Sequence, residues 1–334
     1  MNSALLKRLF CAIQSGSGPD MDVLCRKVVE QEKKVGHLRV AEDLERILEA
    51  PARRAIQPAA PRELSALPTS KRDSAPLLQE VPRDLLRHAM VLPPAVEHRL
   101  HRIEKEFAAR TRLALHGLQP RRRVLLHGPP GCGKSLAAER LAWNTGLPLL
   151  KVRFDTLLSS YFGETHTNLR KVFDAAATTP CTLFLDECDT LARSRNDRND
   201  VGEATRITNA LLEMLEGYHG DGLVIAATNL DSALDPALIR RFDEVLRIPL
   251  PSSQEIEGIL RTALSAVITE IGMPWHHLAL EMDGMSCSEV TQIARNAAKH
   301  AVLEGRKKVT ESDMRFALGE IHERHHQSCN FSHV

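Results

Sequence analysis

The sequence predicts an α/β fold in which helices cover a parallel sheet and an all-helical segment follows it. Between residues 123 and 249, short apolar runs alternate with amphipathic stretches of helical spacing, which is the pattern of strands joined by crossover helices. The first of these runs leads directly into a glycine-rich turn and then into a helical pattern. After Pro251 the runs stop, and helical patterning continues with Gly272 and Gly284 as breaks.

Each element of this fold has its own signal in the sequence. A strand that is buried on both faces reads as a continuous apolar run, and a helix shows apolar residues three or four apart. Helical patterning covers about 95–115, ahead of the sheet, and 135–142, after the glycine-rich turn. The predicted strands are Val124–His127, Leu149–Phe154, Thr182–Leu185, Leu223–Thr228 and Val245–Ile248.

The composition excludes several classes of protein. The 334 residues include 44 Lys and Arg against 43 Asp and Glu, so no overall charge favours nucleic acid or a membrane. Aromatic residues make up 4% of the chain, which is sparse for a protein that stacks bases. The seven cysteines form no C-x-x-C pair, which indicates reduced thiols. No apolar run has membrane-spanning length, and Lys7 and Arg8 interrupt the first apolar stretch, so we expect a cytoplasmic protein.

Changes in composition divide the chain into five predicted segments. Residues 1–50 have helical spacing and mixed charge, and we expect an N-terminal helical domain that recruits a substrate or an adaptor. Proline recurs through 51–83, which predicts an extended or disordered linker. Residues 84–250 hold the predicted strands, 251–326 hold the helices after them, and 327–334 form a short tail.

The turn after the first predicted strand carries the clearest chemical motif. Residues 128–135 read GPPGCGKS, the G-x-x-x-x-G-K-[ST] phosphate loop in its strand–turn–helix context. The alternative is a glycine-rich turn that occurs by chance. The apolar strand before the turn and the helical pattern after it disfavour this alternative. Lys134 is placed to neutralise the β- and γ-phosphates of a nucleotide, and the Ser135 hydroxyl to bind Mg²⁺. The predicted nucleotide contacts are Gly128, Pro129, Pro130, Gly131, Cys132, Gly133, Lys134, Ser135 and Leu136.

Two later strands end in polar residues at the same predicted edge of the sheet. Asp186 and Glu187 follow an apolar strand about fifty residues after the phosphate loop. Asp186 can hold Mg²⁺, and Glu187 can activate the attacking water. Asn229 ends the next strand, where it can contact the γ-phosphate or simply form a turn. Arg240 and Arg241 then follow a short helical pattern, and they either lie on a solvated surface or reach the nucleotide of a neighbouring subunit.

In this order, GPPGCGKS, LDECD, AATN and LDPALIRRFD resemble the AAA+ ATPases, and among them the classical AAA proteins, over about residues 92–318. The resemblance implies a P-loop core with ATP and Mg²⁺ at the C-terminal edge of its sheet and a helical lid. It also implies a homo-oligomeric ring, usually a hexamer, with ATP between subunits. The adjacent Arg240 and Arg241 are similar to the arginine fingers of katanin and spastin, and which of the two dominates is left open.

The same resemblance gives a meaning to residues 160–164, which read SYFGE. From composition alone, Tyr161 and Phe162 would be core or turn residues. Their place in the family pattern, followed by Gly163, resembles the first pore loop of AAA machines that thread a polypeptide. The polar stretch 195–200 lies at the position of a second pore loop, and a solvated loop is an equal alternative.

Residues 284–290, GMSCSEV, resemble the lid motif Gly-x-Ser-Gly-Ala-Asp-Ile of the family. Cys287, Ser288 and Glu289 depart from that motif, which puts the contacts of the lid in doubt but not the hydrolytic residues. Ahead of the core, 91–93 is expected to pack on adenine. Cys132 lies next to a helix N-terminus, which can lower the pKa of a thiol, so we hypothesise oxidative inhibition; a tolerated small residue is the alternative.

These signals together predict a Mg²⁺-dependent ATPase that remodels, unfolds or disassembles a protein substrate as a ring. One alternative is an ATP-dependent assembly scaffold or signalling switch that acts on a partner effector. A nucleic-acid-directed AAA+ protein is disfavoured by the neutral charge and the sparse aromatics. Since the chain contains neither H-E-x-x-H nor G-x-S-x-G, any protease partner would be encoded separately. We expect no membrane partner.

Overall fold

The computed structural model describes residues 67–70, 75–158, 164–188, 201–229 and 239–331, with the backbone alone for 201–207 and 325–331. Within these ranges the protein is a mixed α/β structure with a central six-stranded sheet, which confirms the predicted fold class. No helix in the described ranges combines the length and the apolar character that crossing a membrane requires.

The sheet has the strand order β1-β3-β4-β5-β2-β6. All of its pairs are parallel except β1 with β3, which is antiparallel. Because the parallel strands point the same way, their carboxyl ends meet at one edge, where open α/β sheets bind ligands. The strands are β1 Leu78–Val81, β2 Arg123–His127, β3 Leu149–Val152, β4 Thr182–Leu185, β5 Leu223–Thr228 and β6 Glu244–Arg247.

The edge strand β1 corrects the sequence prediction, because it lies inside the segment 51–83 that was predicted to be a linker. Leu77 and Leu78 are fully buried in the sheet core, so apolar burial outweighs the proline-rich composition around them. The predicted strand Leu149–Phe154 also ends earlier than expected, since Phe154 begins a helix.

Helices cover both faces of the sheet. The helices on the core are α1 Pro94–Ala108, α2 Arg110–Ala114, α3 Lys134–Thr145, α4 Phe154–Leu158, α5 Glu164–Thr178 and α6 Val201–Glu216. Apolar side chains of α1 and α3 pack on one face, and those of α5 and α6 on the other. The buried Arg140 ties α3 to α1 through Glu97 (2.5 Å) and Glu104 (3.1 Å), which fixes the helix that follows the glycine-rich turn.

The C-terminal part has its own apolar core built from four helices. These are α7 Ser253–Ala263, α8 Trp275–Glu281, α9 Cys287–Leu303 and α10 Glu311–Phe331. Gly272 and Gly284 have φ values of 84° and 81°, which confirms them as breaks between helices. The expectation of helices alone was wrong, because β7 Ile268–Thr269 pairs with β8 Lys308–Val309.

Helix α10 continues to Phe331, so it extends into the segment 327–334 that was predicted to be a short tail. No glycine or proline occurs between His322 and Phe331 to stop the helix.

Gly222 precedes β5, and its backbone lies very close to Cys181, which precedes β4. A Cβ at this position would lie 2.0 Å from the carbonyl oxygen of Cys181. Gly222→Ala should therefore lower the free energy of unfolding by about 1–3 kcal/mol, measured by urea denaturation. Gly319→Ala is the matched control, because a Cβ there meets nothing within 4 Å and alanine favours a helix. Equal urea midpoints for the two variants would contradict this account of Gly222.

Candidate functional site

The glycine-rich turn between β2 and α3 leaves the start of a helix open to a ligand. Gly133 precedes α3 with φ 96°, and no side chain caps the helix there. The first backbone N–H groups of α3 can therefore bind an anion, which the helix dipole favours. Gly128 is required for close packing, because a Cβ would lie 2.1 Å from the carbonyl oxygen of Ile248.

Lys134 is buried, and its Nζ donates hydrogen bonds to the carbonyl oxygens of Gly128 and Pro129, both at 2.8 Å. The ammonium group thus lies inside the curve of the turn. A phosphate bound at the start of α3 would compete for this group with neutral carbonyls, and a charged acceptor makes the stronger hydrogen bond.

Ser135 joins the start of α3 to the end of β4. Its Oγ donates a hydrogen bond to Asp186 Oδ2 at 3.1 Å, and the backbone N–H of Glu187 donates to Asp186 Oδ1 at 3.1 Å. Because the Ser135 proton points to Asp186, its oxygen lone pairs remain available. A hydroxyl and a carboxylate at this separation fit a hard divalent cation such as Mg²⁺, and the binding of Mg²⁺ here stays a prediction.

Glu187 has a strained backbone. Within the described ranges it is the non-glycine residue with positive φ, at 54°. Such a conformation costs about 1–3 kcal/mol and typically occurs at functional sites. Here it follows directly after the strand end that carries Asp186, and the role of Glu187 in activating water stays a prediction.

A cavity of about 1110 Å³ lies between the turn, the carboxyl edge of the sheet and the C-terminal helices. This volume is at the upper end of the range for small-molecule sites and is ample for a nucleotide. Asn229 lines it together with the residues already described, while Gly128 and Pro129 do not line it. The predicted residues that line the cavity are Pro130, Gly131, Cys132, Gly133, Lys134, Ser135, Leu136, Asp186, Glu187 and Asn229.

Two walls of the cavity consist largely of residues that the sequence motifs did not identify. Residues 87–91 form one wall, so Val91 of the expected adenine segment 91–93 does line the cavity. The other wall is one face of α9, and it includes Arg295 and Lys299. The start of α9 belongs to the motif predicted as a lid at 284–290. Polar residues at helical spacing normally indicate a solvated face, so the sequence carried no signal for Arg295 and Lys299.

The start of α9 docks on the glycine-rich turn. The backbone N–H of Ser288 donates to the carbonyl oxygen of Gly131 at 3.0 Å, and a Cβ on Gly131 would lie 2.3 Å from Ser288 Oγ. Ser286 and Glu289 form a capping box at this helix start, which satisfies its exposed N–H groups. The residues that depart from the expected lid motif therefore still support a contact between α9 and the turn.

The thiols of Cys132 and Cys287 meet at this contact between the turn and α9. The hydrogen bond from Cys287, assisted by the charge of Lys134, lowers the pKa of Cys132 to about 7, although burial opposes the charged form. The same hydrogen bond, together with burial, raises the pKa of Cys287.

The predicted arginines lie outside the cavity. Arg240 is exposed, and Arg241 forms an ion pair with Glu216 at the end of α6 (2.5 Å). Neither residue lines the cavity of its own chain as far as the described ranges show. The predicted pore-loop residues Tyr161, Phe162 and Gly163, and the polar stretch 195–200, lie outside the described residues.

Two comparisons with known proteins agree with this geometry. The family model described as "ATPase family associated with various cellular activities (AAA)" matches residues 124–250. A protein of Sinorhizobium fredii (strain NBRC 101917 / NGR234), described as "Uncharacterized AAA family ATPase y4kL", is 37% identical over 314 residues. This match spans 94% of the chain and 93% of the relative.

The lowered pKa of Cys132 predicts the pH dependence of its alkylation. Cys132 is buried in the protein but lines the cavity, through which a small reagent can approach. Iodoacetamide should therefore modify Cys132 at a rate that rises with pH and is half-maximal near pH 7, because the thiolate is the reactive form. Cys181, whose pKa burial raises to about 12, should stay unmodified. Timed quenching and peptide mass spectrometry measure both sites in one sample.

Cys287→Ala is the control for this alkylation experiment. It removes the donor thiol, so the half-maximal pH for Cys132 should move up toward about 8.5, the ordinary range of a thiol. If Cys132 of the unsubstituted protein is already half-maximally reactive near about pH 8.5, the hydrogen bond between the two thiols is absent.

Proposed function

The chain belongs to the AAA family of ATPases, and from this premise we propose that it is a Mg²⁺-dependent ATP hydrolase that remodels a protein substrate as a ring. The observation that carries the hydrolase part is the arrangement of Ser135, Asp186 and Glu187 beside an open helix start. Phosphate binding, metal binding and water activation then have side chains within one cavity.

In the proposed reaction, the N–H groups at the start of α3 and the ammonium of Lys134 hold the phosphates of ATP. Ser135 and Asp186 would hold Mg²⁺, which when bound neutralises charge on the phosphate oxygens. Glu187 accepts the proton of the attacking water, and Asn229 orients that water against the γ-phosphate. The docked helix α9 forms one wall of the cavity beside the proposed phosphate site.

We propose that an arginine from a neighbouring subunit completes this site. The exposed Arg240 is the better candidate for the arginine finger, because Arg241 is held by Glu216 within its own chain. A guanidinium group that reaches the γ-phosphate of the next subunit would stabilise the charge of the transition state. The ring, its hexameric state and the likeness to katanin and spastin belong to this proposal.

The substrate part of the proposal depends on residues 160–164. In a ring, Tyr161 and Phe162 would contact a polypeptide in the central pore, since aromatic side chains make contacts that tolerate many sequences. The N-terminal residues 1–50 would recruit a substrate or an adaptor. A separately encoded effector or protease and a cytoplasmic location complete the proposal.

An ATP-dependent scaffold or switch is the second candidate function. The hydrogen bond between Ser288 and Gly131 supports this candidate. A lid that contacts the phosphate loop can change position when the bound nucleotide changes, and a partner can bind one of these positions. Such a protein needs the ATP site but not the aromatic pore residues. The third candidate, a nucleic-acid-directed protein, receives no support from the net charge of +1.

The variant Glu187→Gln separates ATP binding from hydrolysis. We expect it to bind ATP as the unsubstituted protein does but to hydrolyse it at least about 100-fold more slowly, because general-base catalysis is lost. Lys134→Ala is the contrasting variant and should lose ATP binding itself. Calorimetry and phosphate release measure the two steps, and normal turnover by Glu187→Gln would overturn the role of Glu187.

Mixing two inactive proteins tests whether Arg240 acts between subunits. Arg240→Ala should lower ATP turnover about 1000-fold or more, as the loss of an arginine finger does. Adding Glu187→Gln protein, which keeps Arg240, should restore part of the activity, because its arginine completes the intact site of the neighbour.

Arg261→Ala is the control for this mixing experiment, since Arg261 is an exposed lid residue paired with Glu257, and it should keep its activity. An Arg240→Ala protein that stays inactive at every mixing ratio would place the arginine in its own site.

Tyr161 distinguishes the motor from the scaffold. With ATP and Mg²⁺, Glu187→Gln should form a ring by light scattering and retain a bound polypeptide. Adding Tyr161→Ala should abolish that retention and leave the ring intact, whereas Tyr161→Phe keeps the aromatic ring and should keep the retention. Full biological activity of Tyr161→Ala would refute threading and support the scaffold.

A further inference from the structure

Lys151 is a charged residue in an apolar strand. It interrupts β3, which reads Leu-Leu-Lys-Val, and it pairs in register with Phe184 of β4. Paired residues on neighbouring strands share a face of the sheet. Lys151 therefore lies on the face that carries α3, because Phe184 packs in the core cluster of that face. Its Nζ lies 5.8 Å from the centre of the Phe184 ring.

The ammonium group of Lys151 reaches past Phe184 to the proposed metal ligand. Its Nζ donates to Asp186 Oδ2 at 2.8 Å, the same oxygen that accepts the hydrogen bond from Ser135 at 3.1 Å. Lys134, the lysine of the phosphate loop, is bonded instead to carbonyl oxygens of its own loop. The charge of Asp186 is thus balanced by a lysine that no phosphate-loop motif includes.

A cation held by Ser135 and Asp186 would lie close to this ammonium group. The ammonium group of Lys151 and the bound cation would repel each other at such short range. Contact of Lys151 with solvent reduces this repulsion but does not remove it. The Lys151 side chain is 42% exposed, while that of Asp186 is 17% exposed. The pair therefore lies at the rim of the site, where a lysine can hold the carboxylate and can also move aside.

We propose that Lys151 is a positioning residue that sets the metal affinity of the site. Before a metal binds, it holds Asp186 toward Ser135; when a divalent cation binds, its charge opposes that cation. The site would then load metal only at higher concentrations than the ligands alone would require. This inference rests on the proposed ATPase function and concerns its metal step. Lys151 does not line the cavity within the described ranges, so nucleotide affinity should not depend on it.

The test is direct binding of Mn²⁺, followed by electron paramagnetic resonance of the free ion, with protein in molar excess over ADP. Lys151→Met should bind Mn²⁺ about tenfold more tightly than the unsubstituted protein, because a repelling charge is gone. Lys151→Arg keeps the charge and should stay within about twofold. Arg153→Met is the matched control, since it removes a nearby charge whose partner is Asp155, and it should leave Mn²⁺ affinity unchanged.

Calorimetry of ADP binding to the same proteins separates the two proposals. If ADP binds equally to all of them but Lys151→Met binds Mn²⁺ no more tightly than the unsubstituted protein, the inference about Lys151 is wrong and the ATPase proposal stands. If the unsubstituted protein binds no ADP, both fail. Lys151→Gln is a second neutral variant, and it decides the question if circular dichroism shows that Lys151→Met is unfolded.

Discussion

Strands β2, β4 and β5 run parallel and in fixed register, so the residues after their carboxyl ends meet at one edge of the sheet. This register places Ser135 within 3.1 Å of Asp186, although 51 positions separate them in the chain. A slip of one residue in β4 would turn its side chains to the opposite face. The buried apolar side chains on both faces prevent such a slip, and the geometry of the site depends on them.

The C-terminal helices form one wall of the cavity at this edge of the sheet. The hydrogen bond from Ser288 to Gly131 and the contact between Cys132 and Cys287 join α9 to the glycine-rich turn. Any movement of α9 away from the turn would have to break these contacts. The same arrangement serves a motor and a switch, which is why the aromatic residues at 161 and 162 matter for choosing between them.

The sequence predicted the parts of the site that short-range chemistry determines. Buried parallel strands are continuous apolar runs, and Thr182–Leu185 and Leu223–Thr228 were predicted with their observed bounds. The phosphate loop was recognisable because a phosphate needs glycine, lysine and a helix start at fixed spacing. Strand β1 was missed because its burial depends on pairing with β3, which proline-rich surroundings conceal. The contact of Lys151 with Asp186 and the place of residues 87–90, Arg295 and Lys299 beside the cavity arise from tertiary contacts, so no local pattern marks them.

The most direct test of this account is a single-turnover reaction with ATP labelled at the γ-phosphate and protein in excess, with and without Mg²⁺. If Ser135 and Asp186 hold Mg²⁺ and Glu187 activates water as proposed, phosphate should be released only when Mg²⁺ is present. ATP that binds but releases no phosphate at any Mg²⁺ concentration or protein concentration would contradict the account. The chain would then be a nucleotide-binding switch and not an ATP hydrolase.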